Sequence, residues 1–276
     1  MNKKDFSDWL VVSDIDGTLN NKLRKTPEKN IRAIDRFVHG LSGNFTLASA
    51  RNVQSLYPHY KKLPAVSTPA IVLNGAGIDD YSLKKMLWFN PVGDSAACVV
   101  EKALQRFPFL EVGIFTDDDI YLVRPRILSP VMMLLDKLSH HKVKSLSQVP
   151  KGNWGKVIFF CYPNKKSEVR SFVSSLTGED ISFIDTTSMS FDMVNSTTNK
   201  GNAILRLAEI LGVPMQNTAG IGDYYNDIDM LKAVGHSACC KQAPEQLHKM
   251  SEYVACHCNE GAVADFLDYI ENKYSR

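Results

Sequence analysis

Short apolar runs alternate along this chain with stretches in which apolar residues recur at helical spacing. The run "WLVVS" (9–13) predicts a strand and "TPEKNIRAIDRFVHG" (26–40) a helix. In that helix Thr26 is placed to cap, Pro27 suits the first helical position, and Ile31, Ile34 and Phe37/Val38 form one stripe. "NFTLASA" (44–50) and "AIVLNGA" (70–76) predict further strands, each ending in small or polar residues. Strands of this kind build a parallel α/β sheet whose functional loops lie at the strand carboxyl ends.

From about residue 79 the texture changes. "LEVGIFTDDDIYLVR" predicts two strands joined by a turn at Asp117–Asp119, a hairpin that a parallel sheet does not need. "SPVMMLLDKLSHH" predicts a helix, "GKVIFFCYP" (155–163) a strand, "SEVRSFVSSL" (167–176) a helix, and "ISFIDTTSMSFDMVN" (181–195) two short strands. The parallel-sheet texture then resumes. "NKGNAILRLAEILG" places Ile204, Leu207, Ala208 and Leu211 on one helical face before Gly212. "TAGIGD" (218–223) predicts a strand, while "NDIDMLKAV" and "GAVADFLDYIENK" predict helices. The expected architecture is an α/β, Rossmann-like parallel-sheet core formed by residues 1–78 and 191–276, with an α+β module inserted at 79–190.

Bulk properties add limits. A chain of 276 residues holds one large domain, or a domain with a second module, and buries roughly 75% of its unfolded surface. Its 32 Lys and Arg nearly balance 30 Asp and Glu, so no global field recruits nucleic acid or an anionic membrane. No segment approaches the roughly 20 apolar residues of a membrane span, and "WLVV" is far shorter than a signal-peptide core, so a cytoplasmic location is expected. Six cysteines without C-x-x-C spacing predict buried, reduced thiols rather than a disulfide framework or zinc ribbon.

The polar residues at the ends of the predicted parallel strands carry the candidate chemistry: Asp14 and Asp16, Ser49 with Arg51, and Asp223 with Asn226 and Asp227. Lys200 opens a helix. Asp14 and Asp16 share a face if the strand extends through them. Neighbouring strands would bring all these groups to one sheet edge, where clustered carboxylates raise one another's pKa unless a divalent cation sits among them. Oxygen ligands favour a hard ion, Mg²⁺. A cation with Lys, Arg and Ser around a carboxylate suits phosphoryl transfer, which demands charge neutralisation more than covalent machinery.

"DIDGTL", "ASAR", "NKG" and "GDYYNDIDML", together with "LNGAGI", resemble in sequence and order the motifs of the haloacid dehalogenase superfamily, specifically its Cof-type phosphatases with a large inserted cap. That resemblance implies an enzyme acting on a small phosphate ester, a sugar phosphate, with Mg²⁺ as cofactor. Asp14 would be nucleophile and metal ligand. Asp16 would be general acid and base, and its backbone carbonyl a metal ligand. Ser49, Arg51, Lys200 and Asn226 would hold the phosphoryl group, with Asp223 and Asp227 serving the metal. The cap would open and close on hinges near 79 and 190. Two departures stand out: Ser49-Ala50-Arg51 where the family commonly has Thr-Gly-Arg, and Lys241-Gln242-Ala243 where it often has Gly-Asn-Ala.

Three other readings compete. A calcium loop would place glycine at position six and an acid at twelve, but Gly17 falls at four and Lys25 at twelve. A phosphomutase of the phosphomannomutase type would need a basic cap pocket, for which Arg124 and Arg126 are the main candidates. A non-catalytic sugar-phosphate-binding module would be expected to lack Asp14 or Asp16.

Overall fold

The computed structural model describes residues 5–63, 66, 68–135 and 137–274. In chain order it forms β1 (Leu10–Ser13), α1 (Glu28–Asp35), β2 (Asn44–Leu47), α2 (Val53–Tyr60), β3 (Ala70–Val72), β4 (Gly77–Asp80) and β5 (Lys85–Phe89). Then come α3 (Ala96–Arg106), β6 (Glu111–Thr116), β7 (Ile120–Val123), α4 (Leu128–Leu135), β8 (His141–Val143), β9 (Trp154–Phe160), α5 (Pro163–Ser174), β10 (Ile181–Thr187) and β11 (Ser190–Asn195). The chain closes with α6 (Lys200–Leu211), β12 (Thr218–Gly222), α7 (Ile228–Ala233), β13 (His236–Cys240), α8 (Glu245–Met250), β14 (Tyr253–Ala255) and α9 (Ala262–Lys273).

Two compact units result: the chain up to Arg51 with Leu56–Leu87 and everything from Asn199 onward, and a second made of Asn52–Ser55 with Trp88–Thr198. The first holds a five-stranded parallel sheet in the order β14-β13-β12-β1-β2. β1 and β12 are buried along their whole length, as apolar runs in a parallel sheet covered on both faces must be. From β1 the chain moves to β2 on one side and later returns to β12 on the other, so strand order reverses between β1 and β12. At such a switch point the strand carboxyl ends open a crevice.

Two local expectations change here. β3 joins the parallel sheet only through the Ala48–Ile71 bridge and otherwise forms an antiparallel sheet with β4 and β5, because the chain turns back at Leu73–Gly75. Thr26 does not cap α1: its hydroxyl donates to Asn20 Oδ1 at 2.7 Å, and the helix starts after Pro27 without a side-chain cap.

The second unit is a six-stranded sheet, β10-β11-β9-β6-β7-β8, antiparallel except for the β7/β8 pair. Alternate residues Val112, Ile114, Val157, Phe159, Phe191 and Met193 form one apolar core with Val99 and Val100 of α3 and Val169 and Val173 of α5. The predicted hairpin is present, its turn closed by Asp118 and Asp119 N–H groups donating to Thr116 Oγ1. α4 inverts the usual pattern: Ser129 and Met133 are buried while Val131, Leu134 and Leu135 are exposed. Its first turn is fixed by buried Glu111, whose carboxylate accepts from the N–H groups of Arg126, Ile127, Leu128 and Ser129 and from Ser129 Oγ. No helix among the described residues is long and apolar enough to cross a membrane. All six cysteines are free, and Cys98, expected to be buried, is exposed.

Candidate active site

Each predicted polar residue of the core stands just beyond a strand or at a helix start, and the sheet register decides which of them meet. Ser13 of β1 is level with Ile221 of β12 and Leu47 of β2. Asp14 N–H continues the ladder to Ile221 O at 3.0 Å, and Ala48 N–H reaches Ser13 O at 2.9 Å. Asp14, Asp223 and Ser49 therefore emerge along one carboxyl edge.

At that edge one oxygen from each of Asp14, Asp223 and Asp227 lies within 4.8 Å of the others. Lys200, the first residue of α6, is fully buried and donates from Nζ to Asp14 Oδ1 at 2.5 Å and to Asp227 Oδ1 at 2.6 Å. Burial works to lower the pKa of this ammonium, but attraction to Asp14 and Asp227 holds it above its ordinary value. Asp14 is pushed up to about 7, chiefly by burial and also by Asp227, with Lys200 opposing. Asp223 is raised to about 6 by burial and by Asp227. Asp227 turns its other oxygen back on the loop, accepting from Asp223 N–H at 2.9 Å and Tyr224 N–H at 3.2 Å.

This donor set fits a divalent cation. Three carboxylates share one lysine, leaving excess negative charge that a hard ion bound by oxygen would neutralise. Asp14, Asp223 and Asp227 are the side chains within reach of one such ion.

Asp16 is placed differently. Strand extension ends at Ser13, and the chain turns: Leu19 N–H donates to Asp14 O at 3.2 Å and Asn20 N–H to Ile15 O at 2.8 Å. Asp14 is buried and Asp16 exposed, so the shared face that continued extension would give does not form. The Asp16 carboxylate instead meets the Arg51 guanidinium in a forked pair, with contacts of 2.8 to 3.1 Å. Its side chain is outside the acidic cluster. Asn226 is exposed on the turn Tyr225–Asp227. Ser49 is buried, its Oγ accepting from Arg51 N–H at 3.3 Å.

The segment "LNGAGI" has a clear mechanical role. Leu73 and Asn74 both take left-handed backbone conformations, φ 53° and 57°, a strained pair for non-glycine residues. In return Leu73 N–H reaches Arg51 O and Asn74 N–H reaches Ser49 O, both at 2.8 Å. Gly75, at φ 101°, lies so close to α6 that a Cβ there would sit 2.2 Å from Asn199 O. The loop thus fixes Ser49 and Arg51 relative to the start of α6, and so to Lys200. Asn199 caps α6, accepting from Asn202 N–H at 2.8 Å.

A profile described as haloacid dehalogenase-like hydrolase matches residues 11–267. The chain belongs to that family. Members compared with it include pyridoxal phosphate phosphatase YbhA of Escherichia coli, 22% identical over 275 residues, covering 94% of this chain and 97% of that one. Phosphatase YwpJ of Bacillus subtilis is 29% identical over 92 residues, so this chain spans about a third of that relative's length (32%) and aligns over 33% of its own. The solved structure described as the HAD subclass IIB sugar phosphatase BT4131 superposes with a TM-score of 0.75 at 16% identity, covering 95% of this chain and 98% of that one. That likeness establishes the fold shared with this haloacid dehalogenase branch.

Two further residues, not among the polar residues at the strand ends, lie beside the acidic cluster. Thr18 Oγ1 donates to Asp223 Oδ1 at 3.4 Å, and Gln242, seen only as a departure from the family pattern, hydrogen-bonds the Gly17 carbonyl. Their common signal is location: one lies inside the first motif, the other just after β13.

Proposed function

We propose that this chain is a Mg²⁺-dependent phosphatase that hydrolyses a small phosphorylated metabolite, a sugar phosphate, through an aspartyl-phosphate at Asp14. The observation that carries the reading is the buried contact of Lys200 with both Asp14 and Asp227 beside Asp223. It supports this reading by bringing together one buried ammonium and three carboxylates, a set suited to a nucleophile, a phosphoryl-binding cation and a hard ion.

In this reading an Asp14 carboxylate oxygen attacks phosphorus while the bond to the ester oxygen breaks, and Asp16 gives that oxygen a proton. Water then attacks the phosphorus of the acyl phosphate, Asp16 takes its proton, and inorganic phosphate leaves with Asp14 regenerated. Lys200, Ser49, Arg51 and Asn226 hold the phosphoryl oxygens. Mg²⁺, held by Asp14, Asp223, Asp227 and the Asp16 carbonyl, would neutralise charge on the transferring group. Asp16 is paired with Arg51 in this structure, so it must exchange that partner for the substrate to act as acid. The second unit would supply substrate specificity.

The similarity to a pyridoxal phosphate phosphatase and to a sugar phosphatase supports a small phosphate ester as substrate. The phosphomutase alternative rests on Arg124 and Arg126; Arg124 Nη1 donates to Leu104 O at 2.8 Å and Arg126 Nη2 to Pro108 O at 2.9 Å, each using one of the five guanidinium N–H donors. The test is phosphate release across a panel of phosphorylated sugars and cofactors, with Mg²⁺ and with chelator. Release from one or more esters that chelator abolishes is expected. No release from any ester, or release indifferent to chelator, overturns the reading.

A further inference from the structure

The loop after β13 reaches across to the first motif. Gln242 donates from Nε2 to the Gly17 carbonyl at 2.6 Å and accepts at Oε1 from Cys258 N–H at 3.1 Å. The carboxamide thus spans two segments: Nε2 holds the Gly17 peptide while Oε1 anchors the side chain to the segment around Cys258.

The partners explain why such a clamp is useful. Gly17 has φ 92°, and a Cβ there would lie 2.2 Å from Asp223 Oδ2, so the position tolerates only glycine. Glycine also has the freest backbone, and nothing in its own chemistry fixes the peptide that follows it. That peptide adjoins the one bearing the Asp16 carbonyl. Thr18 Oγ1, at 3.4 Å, is the other contact from this loop to Asp223.

We propose that Gln242 is a positioning residue that ties the Gly17 peptide, packed closely against the Asp223 carboxylate, to the segment around Cys258, presetting the loop oxygens that receive the cation. The proposal rests on the reading of the acidic cluster as a Mg²⁺ site. Gln242 itself touches neither Asp14 nor a phosphoryl group; it acts through the Gly17 peptide.

The decisive measurement is Mg²⁺ binding by calorimetry on substrate-free protein, with kcat and KM determined separately. Gln242→Met keeps the length and removes every hydrogen bond; groups that orient metal ligands typically contribute about 10- to 100-fold to affinity or activity. We expect Mg²⁺ affinity to fall by about tenfold or more, kcat to fall, KM to stay within about twofold, and thermal unfolding in chelator to match the wild type. Gln242→Asn, polar but one methylene short of spanning its partners, provides a variant that keeps a half-buried amide and is expected to lose a smaller part of the affinity. Mg²⁺ affinity within about twofold of wild type in both variants overturns the proposal, as does a loss that merely tracks lower stability in chelator. A wild-type protein that binds Mg²⁺ yet hydrolyses no ester defeats the phosphatase reading alone, since calorimetry still decides the role of Gln242.

Discussion

Lys200 Nζ lies 2.5 Å from Asp14 and 2.6 Å from Asp227, although these carboxylates are separated from it by 186 and 27 residues of chain. A single buried ammonium therefore holds together the end of β1, the start of α6 and the turn after β12. Removing one partner from a buried ionic group leaves uncompensated charge and typically costs about 3–5 kcal/mol. Lys200→Met should lower stability by that order in chelator, with Mg²⁺ restoring part of it by replacing the lost positive charge. Urea unfolding in both conditions measures this, and an unchanged midpoint in chelator would contradict the role given to Lys200.

Asp14→Asn should behave in the opposite way. The amide oxygen still accepts from Lys200, so the fold persists, but the group can no longer attack phosphorus. Turnover should drop below about a thousandth of wild type, as for other essential nucleophiles. Phosphate release from protein freed of contaminating phosphatase tests it, and retained activity would remove Asp14 from the mechanism.

A cation that binds only the folded protein stabilises it by about 2.7 kcal/mol at a hundredfold excess over its dissociation constant. Thermal unfolding of the wild type should therefore move up by several degrees when Mg²⁺ replaces chelator. Asp223→Asn should cancel most of that increment. An equal Mg²⁺ shift in the variant would mean that the ion binds elsewhere.

Much of this site was legible because its motifs are compact: "DIDGTL" and "GDYYNDIDML" each place a carboxylate directly after an apolar strand, and parallel neighbours must present such residues at one edge. The orientation of Asp16 was not legible, since alternation holds only while a strand lasts and this one stops at Ser13. β13 and β14 escaped notice for a related reason. "HSACC" and "YVA" are short and lack an apolar rhythm; their pairing in the sheet comes from tertiary neighbours, not from local pattern. α4 misleads in another way, because its apolar composition suggests burial while its buried face carries Ser129.

The loop at Leu73–Gly75 gives a prediction away from the acidic cluster. Gly75→Ala meets both a positive φ and the Asn199 carbonyl at 2.2 Å, so α6 must shift and carry Lys200 with it. Activity should fall more than stability, which should drop by about 1–3 kcal/mol. Gly212→Ala is the control: φ is again positive, 67°, but nothing lies within 4 Å of the new methyl group, so it should lose stability while keeping activity. Equal activity losses in the two variants would argue against the bracing role of the loop.

Acid sensitivity should come in part from the far end of the sheet. Glu252 Oε1 accepts from Lys273 Nζ at 2.5 Å, Tyr269 OH at 2.8 Å and Tyr274 OH at 3.3 Å, while Oε2 lies 2.9 Å from His236 Nδ1. Partial burial works to raise its pKa, but hydrogen bonds from Lys273, His236 and Tyr269 outweigh it and bring the pKa from 4.5 down to about 2. The folded state thus holds this carboxylate ionised at a pH where the unfolded chain has already bound a proton. Its contribution is complete above about pH 4.5 and disappears as pH falls toward about 2, with a slope of at most about 1.4 kcal/mol per pH unit for one proton. Glu252→Gln should be less stable than wild type at neutral pH and should converge on it in acid. Urea unfolding from pH 7 down to about 2.5 would show this, and parallel profiles for the two proteins would refute it.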